Sequence, residues 1–247
     1  MNPDSAQYHS INSYVQFLDW HFAEAVTESE RASRLPWKSR PASVHTFHGW
    51  IVLRVRGDAA TALREFKAAE RINYGDVGIQ TQLGTPYYVQ RDFARAIKQY
   101  QKAWQLEPGL RLPHHLLGRA YEADKQYGKA LDEYETEEKM LFPTNAVEIE
   151  ARYQKWRSIL AEGDGTNKLW RAMLNLSSHP YEKARLSARL GLTNQVFALL
   201  NKTCDEHYSD GEADFLIDDC WEPFHDDPRF KELLAKAGFP KALPPRR

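Results

Sequence analysis

Between Arg91 and Pro108 the chain reads RDFARAIKQYQKAWQLEP, and Ala96, Tyr100 and Ala103 are spaced to share one face of a helix. Small side chains on that face let a neighbouring helix come close. The aromatic fills the space beside them, and Pro108 stops the helix. The pattern recurs 34 residues later in QYGKALDEYETEEKMLFP, where Ala130 and Tyr134 match Ala96 and Tyr100. It also occurs 34 residues earlier in GDAATALREFKAAERIN, with Ala62, Phe66 and Ala69. The preceding helices repeat as well. Gly84 in LGTPYY and Gly118 in LGRAYE are 34 apart, each followed three residues on by an aromatic, Tyr87 and Tyr121. A period of this length predicts helix-turn-helix units stacked into a solenoid.

With these residues the chain resembles the tetratricopeptide repeat family. That family's pattern places Leu-Gly and Tyr on a first helix, A, then Ala and an aromatic on a second, B, followed by a further Ala and a Pro. The repeat from Val77 to Pro108 carries Leu83, Gly84, Tyr87, Ala96, Tyr100, Ala103 and Pro108. The repeat from Arg111 carries Leu117, Gly118, Tyr121, Ala130 and Tyr134, with Glu137 where the second Ala is expected. In the repeat from Ser43 to Asn73, Gly49 and Trp50 compete for the small position. An N-terminal unit, DWHFAEAVTESERASRLP, offers Ala25 and Ala32 but has Ser29 for the aromatic. The resemblance implies an all-α fold, a right-handed superhelix of stacked helix-turn-helix repeats. About four helix pairs are expected over residues 1–142, with PWKSRP (Pro36 to Pro41) loosening the first unit.

After Pro143 the period weakens, and residues 143–240 read as a less regular helical region with a capping helix, ahead of a tail at 241–247. Apolar spacing predicts a helix in AVEIEARYQKWRSILAEGDG, closed by Gly163 and Gly165, and another in TNKLWRAMLNLSS. YEKARLSARLGLTNQVFALLNKT has the form of a further pair, with Ala184 and Val196 twelve apart as Gly84 and Ala96 are. Near the end Asp227 suits a helix cap, Pro228 the first helical position and Gly238 the stop. The order of segments from LWRAMLNL to DPRFKELL resembles the C-terminal part of bacterial multidomain signalling proteins, in which a tetratricopeptide region follows a cyclase, a winged-helix domain or a kinase. No effector sequence precedes Tyr14, so the expectation is a stand-alone relative or the sensor half of something larger; the Met1 start favours the former.

Composition narrows the function classes. Hydrophobic residues are 42% of the chain, enough for a core, and 33 Lys and Arg against 34 Asp and Glu leave a net charge of -1. That balance gives no basic field for nucleic acid. MNPDSAQYHS does not read as a signal peptide, and no run approaches the ~18 apolar residues of a membrane span. The expected location is cytoplasmic. Cys204 and Cys220 are too few for a disulfide framework, although one bridge between them is open. His45 with His48, and His114 with His115, lack the accompanying ligand spacing of a metal site. The acids Asp218, Asp219, Glu222, Asp226 and Asp227, with Cys220 and His225, read as a turn whose carboxylates cap the following helix. AEGDGTN lacks the Lys-Ser/Thr of a phosphate loop, and no nucleophile motif stands out. No enzyme activity, cofactor or metal is expected.

Binding is then the expected role, through the concave groove lined by the A helices. By register the groove residues are Arg54, Thr81, Thr85, Tyr88, His115, Arg119 and Glu122. Arg119 suits a peptide carboxylate, and Tyr88 offers an aromatic platform. The resemblance brings with it a basic, Asn-rich clamp for acidic chaperone tails. Here Thr81 and Thr85 stand where Lys and Asn would be, and Leu112 and Leu116 replace the later Lys and Arg, so that ligand is not expected. Pro86 inside an A helix removes a donor to Gln82 and predicts a bend that widens the groove beside Tyr88. The leading expectation is a scaffold for a protein or peptide partner, with no nucleic acid or membrane partner. The alternative is a sensor region that binds a small ligand or self-associates to control a signalling or transcription protein. Exposed terminal repeats would also allow a homodimer.

Overall fold

The computed structural model describes residues 4–36, 40–206 and 214–240. The tail 241–247 and the centre of the PWKSRP linker lie outside the described residues. Helices follow one another in pairs: α1 (Ala6–Leu18) with α2 (Phe22–Arg34), and α3 (Ala42–Arg56) with α4 (Ala59–Ile72). The third A helix comes in two pieces, α5 (Val77–Gln82) and α6 (Thr85–Val89), packed on α7 (Phe93–Leu106). Next come α8 (Arg111–Ala123) with α9 (Tyr127–Leu141), α10 (Ala146–Leu160) with α11 (Gly165–Leu176), and α12 (Pro180–Arg189) with α13 (Thr193–Asp205). A 3₁₀ segment, Asp219–Phe224, leads to α14 (Pro228–Lys236), so pairing continues well past Pro143.

Five A-to-B turns, all but the one between α10 and α11, are built the same way. Trp20, Gly57, Arg91, Lys125 and Gly191 all take left-handed backbone, with φ between 61° and 69°. In four of them the next amide reaches back to a carbonyl five residues earlier, as Gln126 N donates to Tyr121 O and Asp92 N to Tyr87 O. This is the Schellman stop, which satisfies carbonyls the ending helix leaves open.

Helix contact within a pair depends on a missing side chain. A Cβ on Gly84 would sit 2.3 Å from Tyr100 Cε1, and one on Gly118 2.4 Å from Tyr134 Cε1. On Gly49 it would sit 2.8 Å from Phe66 Cε1, so Gly49, not Trp50, holds the small position of its repeat. In the first pair the place of ring against glycine is taken by Ser13 and Ser29, both buried.

One turn before each small residue lies a second repeating contact, a polar clasp between helices A and B. His9 Nδ1 is 2.7 Å from Glu28 Oε2, His45 Nδ1 2.8 Å from Glu65 Oε2, and His114 Nδ1 2.7 Å from Glu133 Oε2. The third unit uses amides, Gln99 Nε2 donating to Gln80 Oε1 at 3.0 Å. His45 and His114 are thus spent on glutamates of their own repeats, and His48 lies 3.3 Å from Ser29 Oγ.

Pro86 sits in the first turn of α6, and the A helix is interrupted before it at Leu83 and Gly84. The interruption is one of hydrogen bonding, since Leu83 and Gly84 both keep right-handed helical dihedrals. It does not open the groove beside Tyr88, because Tyr88 is 4% exposed and covered by another part of the chain.

Cores between neighbouring repeats are what a solenoid requires, and one here joins Leu53, Phe66, Leu83, Tyr100 and Leu117. The largest core breaks that rule. Phe17, Trp20, Phe22 and Ile51 from the first units pack with Phe215, Trp221, Phe230 and Phe239 from the last, Phe22 and Phe239 having ring centroids 4.5 Å apart. The two ends of the array therefore share one core.

Gly84→Ala should destabilise the chain by about 1–3 kcal/mol, because the added methyl meets the buried Tyr100 ring. Gly128→Ala, in the first turn of α9 with nothing within 4 Å of its Cβ, should leave stability unchanged or raise it by up to about 0.5 kcal/mol from helix propensity. Urea denaturation of both variants checks this; equal effects would refute the close-contact role of Gly84.

A candidate site on the A-helix face

The segment from Asp214 to Phe224 lies across the face formed by α3, α6, α8 and α12, held there by both apolar and ionic contacts. Phe215 and Trp221 are fully buried, and Trp221 Nε1 donates to Tyr181 Oη at 3.1 Å. Ile217 enters the central core beside Leu53 and Tyr88. Between these anchors, carboxylates meet guanidinium groups supplied by α3, α8 and, twice, α12.

Asp214 Oδ1 is 3.1 Å from Arg54 Nε of α3, and its Oδ2 accepts from Arg119 Nη1 of α8 at 2.7 Å. Asp218, whose side chain is wholly inaccessible, accepts from Arg185 Nε of α12 and lies 3.1 Å from Arg119 Nη2. Asp219 receives a two-pronged contact from Arg189, Nη1 and Nη2 each at 2.6 Å, and a hydrogen bond from Tyr88 Oη at 2.8 Å. Glu122 closes the network, accepting from Arg189 Nε at 2.9 Å and from Tyr134 Oη at 2.8 Å. Parallel guanidinium–carboxylate contacts of this kind are the strongest hydrogen bonds a side chain makes.

Burial alone would raise the Asp218 carboxyl, but Arg185, Arg119 and Arg189 outweigh it and hold Asp218 well below the usual carboxylate range. Glu122 is likewise lowered: burial opposes, and Arg189 and Arg185 prevail. Burial, with Asp218 and Asp219 nearby, pushes the Tyr88 phenol up, so it remains a donor at neutral pH. Burial pushes the Cys204 thiol up to about 12 and Cys220 well above its ordinary value, and both are free, buried thiols. Among the described residues no three or more His, Cys, Asp or Glu side chains are placed to hold a metal.

The seven groove residues read from register occupy distinct situations. Arg54, Tyr88 and Arg119 contact the 214–219 segment directly, and Glu122 joins them through Arg185 and Arg189. Thr85 is buried beneath, accepting from Tyr100 Oη at 3.2 Å. Thr81 gives its hydroxyl to Val77 O of its own helix at 2.7 Å. His115 lies 3.0 Å from Glu137 Oε2, a pairing within its own repeat, and Arg111 also contacts Glu137. Where a helix B alanine was expected, Glu137 therefore ties down the A helix of its pair.

Asp218 and Asp227 cap the 3₁₀ segment and α14, as the acidic turn suggested. The larger role of Asp214, Asp218 and Asp219, to neutralise arginines from α3, α8 and α12, was not read from sequence, nor were Arg185 and Arg189. Their i, i+4 spacing puts both on one helix face. That is a visible signal, but nothing in the linear order links Arg185 to Asp218, 33 positions on.

Beyond Arg54 the face is open. A cavity of about 540 Å³ is lined by Tyr14 of α1, by Ser43, Thr46, Phe47 and Trp50 of α3, and by Ile79 and Gln82 of α5. Tyr14 lies 5.2 Å from Phe47 and 5.7 Å from Trp50 between ring centroids, and the Arg54 guanidinium stacks 4.2 Å from Trp50. Arg54 thus joins the filled and open parts of the face.

Paired helices, a glycine against an aromatic in each central pair and a repeated left-handed turn define an all-α solenoid of the tetratricopeptide type. No family model matches the chain, and no curated protein does. Among solved structures 41 chains match. One is a crystal structure of MamA, 17% identical, covering 62% of this chain and 83% of that one with a TM-score of 0.45. Another is the C-terminal part of a TPR repeat-containing protein from Cytophaga hutchinsonii, 15% identical, covering 85% and 89% of the two chains with a TM-score of 0.49. A structure of MamA AMB-1 is 14% identical, covering 83% and 93%, with a TM-score of 0.43. Among the described residues no helix is long and apolar enough to cross a membrane.

Arg119→Ala should cost about 3–5 kcal/mol, the usual penalty for leaving buried carboxylates without their partner, here Asp214 and Asp218. Thermal unfolding measures it, and a loss below about 1 kcal/mol would show that the network does not hold the segment.

The same network sets a pH response. Asp218 and Glu122 have folded pKa values below their unfolded ones, so their stabilisation is complete above the ordinary carboxyl range near ~4 and lost as pH falls through and below it. Asp218→Asn should be less stable at pH 7 and show a shallower loss between roughly pH 4.5 and pH 2.5. Parallel melting curves against pH would contradict this.

Proposed function

We propose that this chain is a non-catalytic protein-interaction scaffold that receives a peptide or partner segment in the open part of its A-helix face, between α1, α3 and α5. The supporting observation is the division of that face. Its middle is taken by the chain's own 214–219 segment, and the remainder is a concave, aromatic-lined cavity of about 540 Å³, within the size range of ligand sites. Tyr14, Phe47 and Trp50 offer area for an apolar anchor, and Ser43, Thr46, Asn73 and Gln82 offer polar contacts along it. The internal segment is a precedent for the mode of binding: an irregular stretch held by apolar anchors and side-chain charge against successive A helices. In this reading Arg119, Tyr88 and Glu122 serve the internal segment. Arg54 also serves it through Asp214, while its guanidinium stacks on Trp50 at the edge of the cavity.

A displayed library of unstructured peptides, selected on the purified chain, tests the proposal. Enriched peptides should bind in the micromolar range and lose binding at least tenfold to Ser43→Trp, which fills the groove from an exposed position on its rim. The variant's melting temperature should be unchanged. Enriched peptides indifferent to Ser43→Trp would move the binding surface elsewhere, and an absence of enrichment would count against a peptide scaffold.

A further inference from the structure

Away from the A-helix face, the outer surface of two neighbouring B helices carries an unbalanced charge. α4 presents Arg64, Lys67 and Arg71, and α7 presents Arg95, Lys98 and Lys102, all six at exposed positions. Both sets are spaced i, i+3, i+7, so each forms one row along its helix. The only acids within these two helices are Glu65 and Glu70, in a chain whose net charge is -1. The rows lie side by side. Lys102 Nζ of α7 is 3.6 Å from Glu70 Oε1 of α4, and 5.8 Å from the centre of the Tyr74 ring just past the end of α4.

Nearby carboxylates do not balance these cations, because each already has a task. Glu70 accepts from Gln80 Nε2 at 2.8 Å. Glu65, 3.8 Å from Arg64, is clasped to His45, and Asp92, beside Arg95, caps α7. Among the described residues no carboxylate lies within 4 Å of Lys67, Arg71 or Lys98. At the C-terminal end of the rows Tyr74 and Leu106 are 80% and 49% exposed, with Glu107 the next residue after α7.

We infer that the furrow between α4 and α7 binds a short acidic helix of another protein. Its carboxylates meet the two rows of cations, and an apolar side chain meets Tyr74 and Leu106. Seven residues of helix rise about 10 Å, so each row offers cations at intervals of about 5 Å. Carboxylates at i, i+3 and i+7 of a partner helix repeat at the same interval, and the match is one of charge as well as spacing. The flanking B helices set the partner's length. α2 has three acids and two basic residues, and α9 has five acids and two basic residues, so the positive surface is bounded on both sides. A long polyanion, nucleic acid or anionic membrane, would run on to like charge, whereas a short acidic helix ends within the furrow.

Fluorescence anisotropy tests this with a labelled peptide of about 15 residues that carries Glu at the i, i+3, i+7 spacing followed by Leu, titrated with the full chain in about 50 mM salt. Kd should be on the order of 10–100 µM and rise with salt. Replacing the peptide's Glu by Gln should raise it about tenfold or more. Lys67→Glu with Lys98→Glu should do the same at unchanged melting temperature, since neither lysine has an ion pair to lose. Lys155→Glu with Lys231→Glu makes the same change in net charge at exposed positions elsewhere and should leave Kd within about twofold. Ser43→Trp should also leave it unchanged, because the furrow is separate from the cavity between α1, α3 and α5. Absence of binding at about 500 µM chain overturns the inference, as does equal weakening by the two charge-reversed pairs. Single-stranded RNA or phosphatidylserine vesicles bound as tightly as the peptide overturn the assignment to an acidic protein helix.

Discussion

Neutralising four arginines on one face is the constraint around which this molecule is organised. Arg54, Arg119, Arg185 and Arg189 project from α3, α8 and α12 towards a common space, and none of their side chains is more than 15% exposed. Charges removed from water at that depth demand counter-charges within hydrogen-bonding distance. Asp214, Asp218 and Asp219 supply them, delivered together by one short segment. Placing that segment also positions the C-terminal end of the chain: Trp221 and Phe224 reach the end-to-end core, and α14 is seated against α13.

That arrangement changes how the solenoid behaves. In an open array each repeat answers only to its neighbours, and stability is a sum of local terms. Here Phe22 and Phe239 touch across nearly the whole sequence, and Arg119 is joined to Asp214 over 95 positions. Such contacts oppose fraying of the terminal units and couple the first helix pair to the last. They also remove the middle of the concave face from exchange with outside partners, leaving the open part between α1, α3 and α5.

The repeat pattern hid a polar regularity beneath an apolar one. The period and residue type mark Gly84 and Gly118, with Gly49 and Trp50 competing for the equivalent place, and the structure sets Gly49, Gly84 and Gly118 against Phe66, Tyr100 and Tyr134. The His9–Glu28, His45–Glu65 and His114–Glu133 clasps have a similar period but an identity that changes to Gln80–Gln99 in the third unit. A polar position is recognised in sequence only when its residue type is kept. An apolar one tolerates Phe for Tyr without losing its signal.

What the sequence determined by itself was the local grammar. It specified the helices, the close approach at Gly84 and Gly118, the break before Pro86, and the cap at Asp227 followed by the stop at Gly238. Each of these depends on residues within one helix pair, and propensity, period and sterics act at that range. The destiny of the A-helix face was decided only by tertiary structure. Register could place Arg54, Tyr88, Arg119 and Glu122 on that face, and composition could mark an acidic turn near the C-terminus. That the two meet depends on how the rotations of successive repeats add up over the array. Those rotations bring α3, α8 and α12 close enough for one segment of the chain to bind them all.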